Sequence, residues 1–229
     1  MKKTIFAALA TAIILFSCSK SDDPAPVNPA ADKYMSITNG SSWNYAYIDI
    51  ADPTNNNNYT LTSTNRDTAA AGKSYHVFTN SGGGNEYYNI SSSDYYTLQA
   101  FSLGTTDTTL ENLYLKDGAA AGTSWAQNYS LNFGLPVDIT ITNKIQEKGI
   151  SKTVGTITYS NVIHVVTTIA IPTLATLPGG GTITTDIHYY YAPKYGMIQN
   201  DAKIDLVVPL VSIDQHTNSQ TKLVSATIL

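Results

Sequence analysis

From residue 34 to the end, the chain alternates between apolar and polar residues in short segments, which turn-forming residues interrupt roughly every ten to fifteen positions. In WNYAYIDI (43–50), Trp43, Tyr45 and Tyr47 fall on one face of an extended strand. VDITITNKI (137–145) alternates in the same way. This pattern predicts an all-β fold of about a dozen antiparallel strands, which form either a sandwich or a curved, partly closed barrel.

Composition supports the same fold class. The chain contains 30 Thr and 16 Tyr but only three Glu, and runs of strong helix formers are missing. Threonine and tyrosine favour pleated, half-buried surfaces. A stretch of about 195 residues can bury a sizeable core without disulfides. We therefore predict a single all-β domain over residues 34–229.

A nine-residue pattern recurs after fifty positions, as DTAAAGKSY (67–75) and DGAAAGTSW (117–125). Two copies cannot close a propeller, which needs several blades. The pattern instead predicts a turn in which the glycine takes a positive φ, followed by the start of a strand.

The first seventeen residues have the features of a secretory signal peptide. Lys2 and Lys3 precede an apolar run over residues 5–16. This run has the length of a signal h-region and is shorter than the roughly 20 residues that a membrane-spanning helix needs. We predict a signal peptide over residues 1–17.

The sequence Leu15-Phe16-Ser17-Cys18 resembles the lipobox of bacterial lipoproteins. The resemblance implies cleavage before Cys18 and attachment of lipid, including palmitate, to that residue. Two or three acyl chains give a stable membrane anchor, whereas one gives reversible binding. Cys18 is the only cysteine, so it has no partner for an internal disulfide. The alternative is that Cys18 belongs to an ordinary signal peptide and is removed with it.

The residues after Cys18 predict a flexible tether over 18–33. Ser19-Lys20-Ser21-Asp22-Asp23 resembles the acidic leader that some Gram-negative bacteria place on lipoproteins destined for the cell surface. The resemblance implies an outer-membrane lipoprotein that is exposed on the cell surface. In the alternative, the leader is only a solvated spacer and the domain faces the periplasm. Three prolines between residues 24 and 29 stiffen the tether.

Three further segments, ITNGSSWNY, VGTITYSNVIHV and YYYAPKYGMIQND, resemble a β-rich family of lipid-anchored and secreted bacterial domains. Members of that family have a Gly-x-x-Trp-x-Tyr opening and a late Tyr-Tyr-Ala-x-x-x-Gly strand and turn. The family has no settled activity. The resemblance therefore implies a fold class and no particular chemistry.

Residue patterns for catalysis or cofactor binding are weak, and we predict no catalytic, cofactor-binding or metal-ligating residues. The four histidines lack the short paired spacing of a metal site. Asp186 and His188 share a strand face, which leaves open an acid–base pair or half of a metal site. The glycine runs lack the Lys-Ser/Thr of a phosphate loop. With Arg66 as the only arginine and no basic run, nucleic acid is excluded as a partner.

Clusters of tyrosine are the remaining candidate for binding. Tyrosine has a flat apolar ring and a polar tip, which suits contact with sugars and peptides. We predict Tyr189, Tyr190 and Tyr191 as ligand contacts.

Three function classes remain. The first is a non-catalytic surface binding or scaffold domain for glycan or protein, held at the membrane by its lipid anchor. The alternative is a periplasm-facing carrier that encloses an apolar ligand in a curved sheet. A hydrolase is third, with Asp186 and His188 as the first residues to test.

Overall fold

In the computed structural model, twelve β-strands form one antiparallel sheet that curves into a nearly closed barrel. The structure describes residues 33–103, 106–132 and 136–229. The all-β prediction is confirmed, and the barrel is the one of the two predicted architectures that the chain adopts. All the strands belong to a single sheet because consecutive strands pair within β1–β6 and within β7–β12, and the first strand pairs with the last.

The strands are β1 (Ser42–Asp49), β2 (Asn57–Ala70), β3 (Lys73–Asn80), β4 (Asn85–Ser91), β5 (Asp94–Leu103), β6 (Thr106–Lys116), β7 (Ser124–Asn132), β8 (Pro136–Val154), β9 (Ile157–Ala170), β10 (Thr182–Ala192), β11 (Gly196–Val208) and β12 (Ile213–Thr227). Three short 3₁₀ helices lie in the connections, at Pro53–Asn55, Pro172–Thr176 and Pro209–Val211. Across the described residues, no helix has the length and apolar character needed to cross a membrane.

The sheet is an up-and-down meander in the order β6-β5-β4-β3-β2-β1-β12-β11-β10-β9-β8-β7. The first and last strands meet at its centre, where Tyr45 of β1 lies opposite Leu223 of β12 and Tyr59 of β2. The strand predicted over 43–50 is therefore a central strand. Its inward residues Trp43 and Tyr45 are 1% and 4% exposed, which agrees with the shared face predicted for them.

The edge strands β6 and β7 close the barrel through side chains. Gln127 accepts a hydrogen bond from the Leu113 N–H (2.6 Å) and donates one to the Glu111 carbonyl (3.0 Å). The Trp125 indole N–H donates to the Leu113 carbonyl (2.6 Å), and the Tyr129 hydroxyl donates to the Glu111 carbonyl. An open sheet edge carries unpaired backbone groups, which are costly to bury and prone to pair with other chains. Side chains of β7 thus replace a backbone ladder along this seam.

The barrel has two hydrophobic clusters. The larger is built on aromatic residues, and its Trp43 and Phe78 rings lie 5.7 Å apart. The smaller cluster is aliphatic and uses the connection after β9 as a cover; its buried members are Val137, Ile139, Ile141, Ile171, Leu174 and Val208. The compact unit Asp32–Leu229 contains both clusters. This unit has its own core, as a domain that folds by itself requires.

The repeated nine-residue pattern forms turns as predicted. Gly72 (φ +74°) lies in the turn before β3, and Gly122 (φ +87°) lies in the connection before β7. An L-residue with a side chain rarely adopts such a φ, which explains the glycine in both copies. The aromatic residue of each copy, Tyr75 or Trp125, lies at the beginning of the strand that follows.

Candidate functional site

The inside of the barrel contains a cavity of about 550 Å³. This volume lies within the range of small-molecule sites in proteins. Aliphatic side chains and two methionines form part of the wall, together with Asn, Gln and Thr side chains. The largest contribution is aromatic, from Tyr45, Tyr59, Tyr88, Tyr114, Tyr189, Tyr191 and Tyr195.

Six of the seven tyrosines in the cavity wall contact another member of the set, in one pair and one group of four. The rings of Tyr45 and Tyr59 are stacked, with centroids 5.2 Å apart. Tyr114 lies edge-on to Tyr88 at 6.1 Å and is tilted against Tyr191 at 5.4 Å. Such pairs stabilise each other beyond their buried area. The wall is therefore a fixed surface that is present before any ligand binds.

The hydroxyls of this wall stay protonated at neutral pH. Burial raises the pKa of Tyr45, Tyr88 and Tyr191 well above the usual value. Tyr45 donates to the Met197 carbonyl at 2.8 Å. In the described part of the chain, the Tyr59 and Tyr189 hydroxyls have no hydrogen-bond partner. They are free to bond a ligand.

Glu86 is the one charged side chain among the described residues that line the cavity. It accepts hydrogen bonds from the Asn80 amide (2.6 Å) and from the Tyr88 hydroxyl (2.5 Å). Both donors are neutral, and no Lys, Arg or His of the described residues forms an ion pair with it. Glu86 is also partly buried. Its negative charge is therefore shielded from water in part, and no cation among the described residues compensates it.

Asn112 is a second polar group with unused capacity. It is 6% exposed, and its side-chain oxygen has no hydrogen-bond partner. Nearby polar residues are satisfied: Asn143 donates to the Leu113 carbonyl (3.1 Å) and accepts from the Thr167 hydroxyl (2.6 Å). A buried acceptor without a donor is costly. A ligand that carries an N–H or O–H group would remove that cost.

The segment before β1 covers one end of the barrel. The Lys194 N–H donates to the Lys33 carbonyl (2.7 Å), and the Ser36 N–H donates to the Lys194 carbonyl (3.3 Å). Between them, the Tyr34 N–H donates to the Tyr95 hydroxyl (3.0 Å), and Met35 lines the cavity. These contacts fix residues 33–36 across the turn between β10 and β11, and this end of the cavity is closed by the chain itself.

The three predicted ligand-contact tyrosines lie on different sides of β10. Tyr189 and Tyr191 line the cavity, and Tyr191 is 5% exposed. Tyr190 lies on the outer face, because successive side chains of a strand alternate. There it stacks on His164 (centroids 4.4 Å apart), and the Lys152 ammonium lies over its ring at 3.8 Å. Ligand contact by the three tyrosines stays a prediction.

Asp186 and His188 also lie on the outer face, in a chain of four side chains. His188 Nε2 lies 2.8 Å from Asp186 Oδ1, and its Nδ1 lies 2.8 Å from His164 Nε2. His164 Nδ1 is in turn 2.9 Å from Glu147 Oε2. The two carboxylates therefore lie at the ends of the row, and the two imidazole rings are stacked between them with centroids 5.1 Å apart.

This arrangement differs from a catalytic cleft. The Asp186 side chain is 72% exposed, and it faces away from the cavity. In residues 33–103, 106–132 and 136–229, no group of three or more potential ligands is placed to hold a metal ion. The predicted shared face of Asp186 and His188 is present, but their partners are the side chains of neighbouring strands.

Cys18, the predicted lipidation site, lies outside the described residues, as do the predicted signal peptide and nearly all of the predicted tether.

Glu86 and Asn112 are site residues that were not predicted from the sequence. A signal for Glu86 is present in EYYNI (86–90), where it shares a strand face with Tyr88. That face also carries Ile90, so an inward orientation of Glu86 is compatible with the pattern, although the pattern does not require it. Asn112 carries no comparable signal.

Comparisons with known proteins add little. No family model matches the chain, and no curated protein is similar to it. A crystal structure of a candidate lipoprotein from Parabacteroides distasonis is similar in fold, with 13% sequence identity and a TM-score of 0.45. The likeness covers 86% of this chain and 99% of the other. It identifies no function for this protein.

Proposed function

We propose that the protein is a membrane-anchored lipoprotein whose barrel binds a small organic ligand in its interior. The observation that carries the proposal is the tyrosine-lined cavity of about 550 Å³. Sites of this size enclose most of a small ligand, with apolar walls for affinity and a few polar groups for orientation. Such a cavity is what the carrier hypothesis requires.

The ligand is amphipathic rather than purely apolar. Its apolar part faces the tyrosine and aliphatic walls, and its polar part faces Glu86 and Asn112. A purely apolar ligand would leave the Asn112 oxygen without a hydrogen-bond donor and the Glu86 carboxylate without a cation, which costs binding energy. This modifies the carrier hypothesis, which expected an apolar ligand.

The hypothesis of surface binding through exposed tyrosines has less support. Tyr190 is the outward member of its group, and its ring already contacts His164 and Lys152. Stacking on a sugar would require one of these contacts to break. We therefore rank ligand binding inside the barrel ahead of glycan or protein binding on its surface.

A fluorescence titration of residues 32–229 with N-phenyl-1-naphthylamine tests the cavity. We expect saturable binding, and at least about tenfold weaker binding by Ile169→Trp, because the indole would occupy part of the cavity that Ile169 lines. The control is Thr168→Trp, one residue away on the exposed face of the same strand. Absence of binding by the unchanged protein, or equal weakening in both variants, would contradict the proposal.

Anchoring through Cys18 is a separate part of the proposal and rests on the lipobox-like sequence. We expect the full chain to fractionate with the outer membrane and the Cys18→Ala variant to be absent from it, because the acyl chains supply the affinity for that membrane. Blotting after protease treatment of intact cells tests exposure. Cleavage on intact cells supports the surface-export leader at 19–23, and protection until the outer membrane is opened supports the periplasm-facing alternative. Retention of Cys18→Ala in the outer membrane would contradict lipid anchoring.

A further inference from the structure

Among the described residues that line the cavity, the negative charge of Glu86 has no positive counterpart. Glu86 lines the cavity, and no Lys, Arg or His is among the described lining residues. Its hydrogen-bond donors, Asn80 and Tyr88, are neutral. Carboxylates are seldom fully buried unless they are paired, and Glu86 is partly buried without a cation among the described lining residues. A positively charged ligand would therefore supply the charge that compensates Glu86.

Four tyrosines lie close enough to Glu86 to feel its charge. Burial is the main cause that raises the pKa of Tyr45, Tyr59, Tyr88 and Tyr114, and the Glu86 carboxylate adds to it in each case. The rings of Tyr45 and Tyr59 are stacked with centroids 5.2 Å apart, and those of Tyr88 and Tyr114 are nearly perpendicular with centroids 6.1 Å apart. Tyrosine rings present negative faces, which attract cations.

We propose that the ligand of the cavity is an organic cation, a substituted or quaternary ammonium with an apolar body, held among these four tyrosines beside Glu86. This inference rests on the proposed function, ligand binding inside the barrel. The tyrosine rings attract a cation by cation–π interaction, and the Glu86 carboxylate attracts it by opposite charge. Both interactions suit an organic cation, which is weakly hydrated.

The remaining polar groups agree with this class of ligand. Asn112 pairs across the sheet with Thr97, which pairs in turn with Tyr88, so the unused Asn112 oxygen lies two strands from the tyrosine that holds Glu86. It can accept from an ammonium N–H or from a hydroxyl on the ligand body. An anionic ligand would meet Glu86 without a compensating cation, and a neutral ligand would leave the carboxylate unpaired.

Two probes of the same shape separate charge from size. Benzyltrimethylammonium is a cation, and neopentylbenzene is its neutral isostere. We expect residues 32–229 to bind the cation at least about tenfold more tightly. Glu86→Gln should reduce cation affinity about tenfold and leave the affinity for neopentylbenzene unchanged. Glu147→Gln, on the outer face beside His164, is the matched control and should change neither.

A second variant covers the case in which Glu86→Gln fails to fold. Tyr59→Leu removes one of the four tyrosine rings beside Glu86, and it removes no hydrogen bond within the described residues. It should lower cation affinity more than neutral affinity. Equal binding of the two probes, or an unaltered preference in both variants, overturns the cation proposal while ligand binding stands. Failure of both probes and of N-phenyl-1-naphthylamine overturns the proposed function itself.

Discussion

Raising the pH above about 10 is expected to destabilise the protein strongly, because its interior depends on neutral tyrosines. Twelve of the sixteen tyrosines have a pKa above the ordinary value of 10.0, and burial is the leading cause for each. Tyr129 is one example, with a pKa raised to about 12 by burial and by the Glu111 carboxylate. In the unfolded chain these hydroxyls ionise near their ordinary value.

The sign of the effect follows from proton binding. Between about pH 10 and 12 the unfolded chain has lost protons that the folded protein still holds, so the free energy of unfolding falls as the pH rises. Below about pH 10 the stabilisation is fully present. One pKa unit on a fully buried group corresponds to about 1.4 kcal/mol. Several buried tyrosines together make the expected loss about 3 kcal/mol or more.

Urea unfolding at a series of pH values tests this, with tyrosinate absorbance recorded alongside. The midpoint should fall steeply above about pH 10, and ionisation should coincide with unfolding. Tyr189→Phe is an informative variant, because burial raises the pKa of Tyr189 and its hydroxyl has no partner in the described residues. It should make the decline shallower. Gradual ionisation of most tyrosines in a protein that remains folded would contradict the prediction.

Period-two alternation was enough to predict the strands, because a barrel strand has one inward and one outward face. WNYAYIDI placed Trp43 and Tyr45 on the same face, and both are buried. The barrel could not be separated from a sandwich in this way, because a single sheet depends on the pairing of β1 with β12, at opposite ends of the domain sequence. Local sequence contains no record of that pairing.

The candidate site was less predictable because the inside of the barrel is partly polar. The inward face of a strand in a fully apolar core can be recognised because it carries only apolar residues. The inward face of β4 carries Glu86 as well as Tyr88. Successive side chains of a strand alternate, so Tyr189, Tyr190 and Tyr191 must lie on both faces of the sheet. Alternation alone does not determine which of these faces is the inside of the barrel. The neighbours of Asp186 and His188 were equally hidden, because His164 reaches them only through the register of β9 with β10.

The seam between β6 and β7 is the feature on which the closed barrel most depends, and Gln127→Ala is expected to destabilise the protein by about 2 kcal/mol or more. The Gln127 amide accepts from one backbone group of β6 and donates to another, in place of a strand. Truncation leaves the Leu113 N–H without this acceptor and removes one donor from the Glu111 carbonyl. A buried backbone group that loses its partner costs about 1–3 kcal/mol.

The neighbouring residue on the same strand supplies the control. Asn128 is exposed, and its side-chain oxygen accepts from the Thr140 hydroxyl at 2.8 Å, within the β7–β8 pair. Asn128→Ala removes an amide of similar size without touching β6, and it should cost less than about 1 kcal/mol. Urea unfolding of both variants measures the difference, and hydrogen exchange at the Leu113 amide should increase in Gln127→Ala alone. Equal losses in the two variants would mean that the seam adds nothing beyond an ordinary strand surface. A larger loss in Gln127→Ala would mean that side chains replace the missing backbone ladder energetically as well as geometrically.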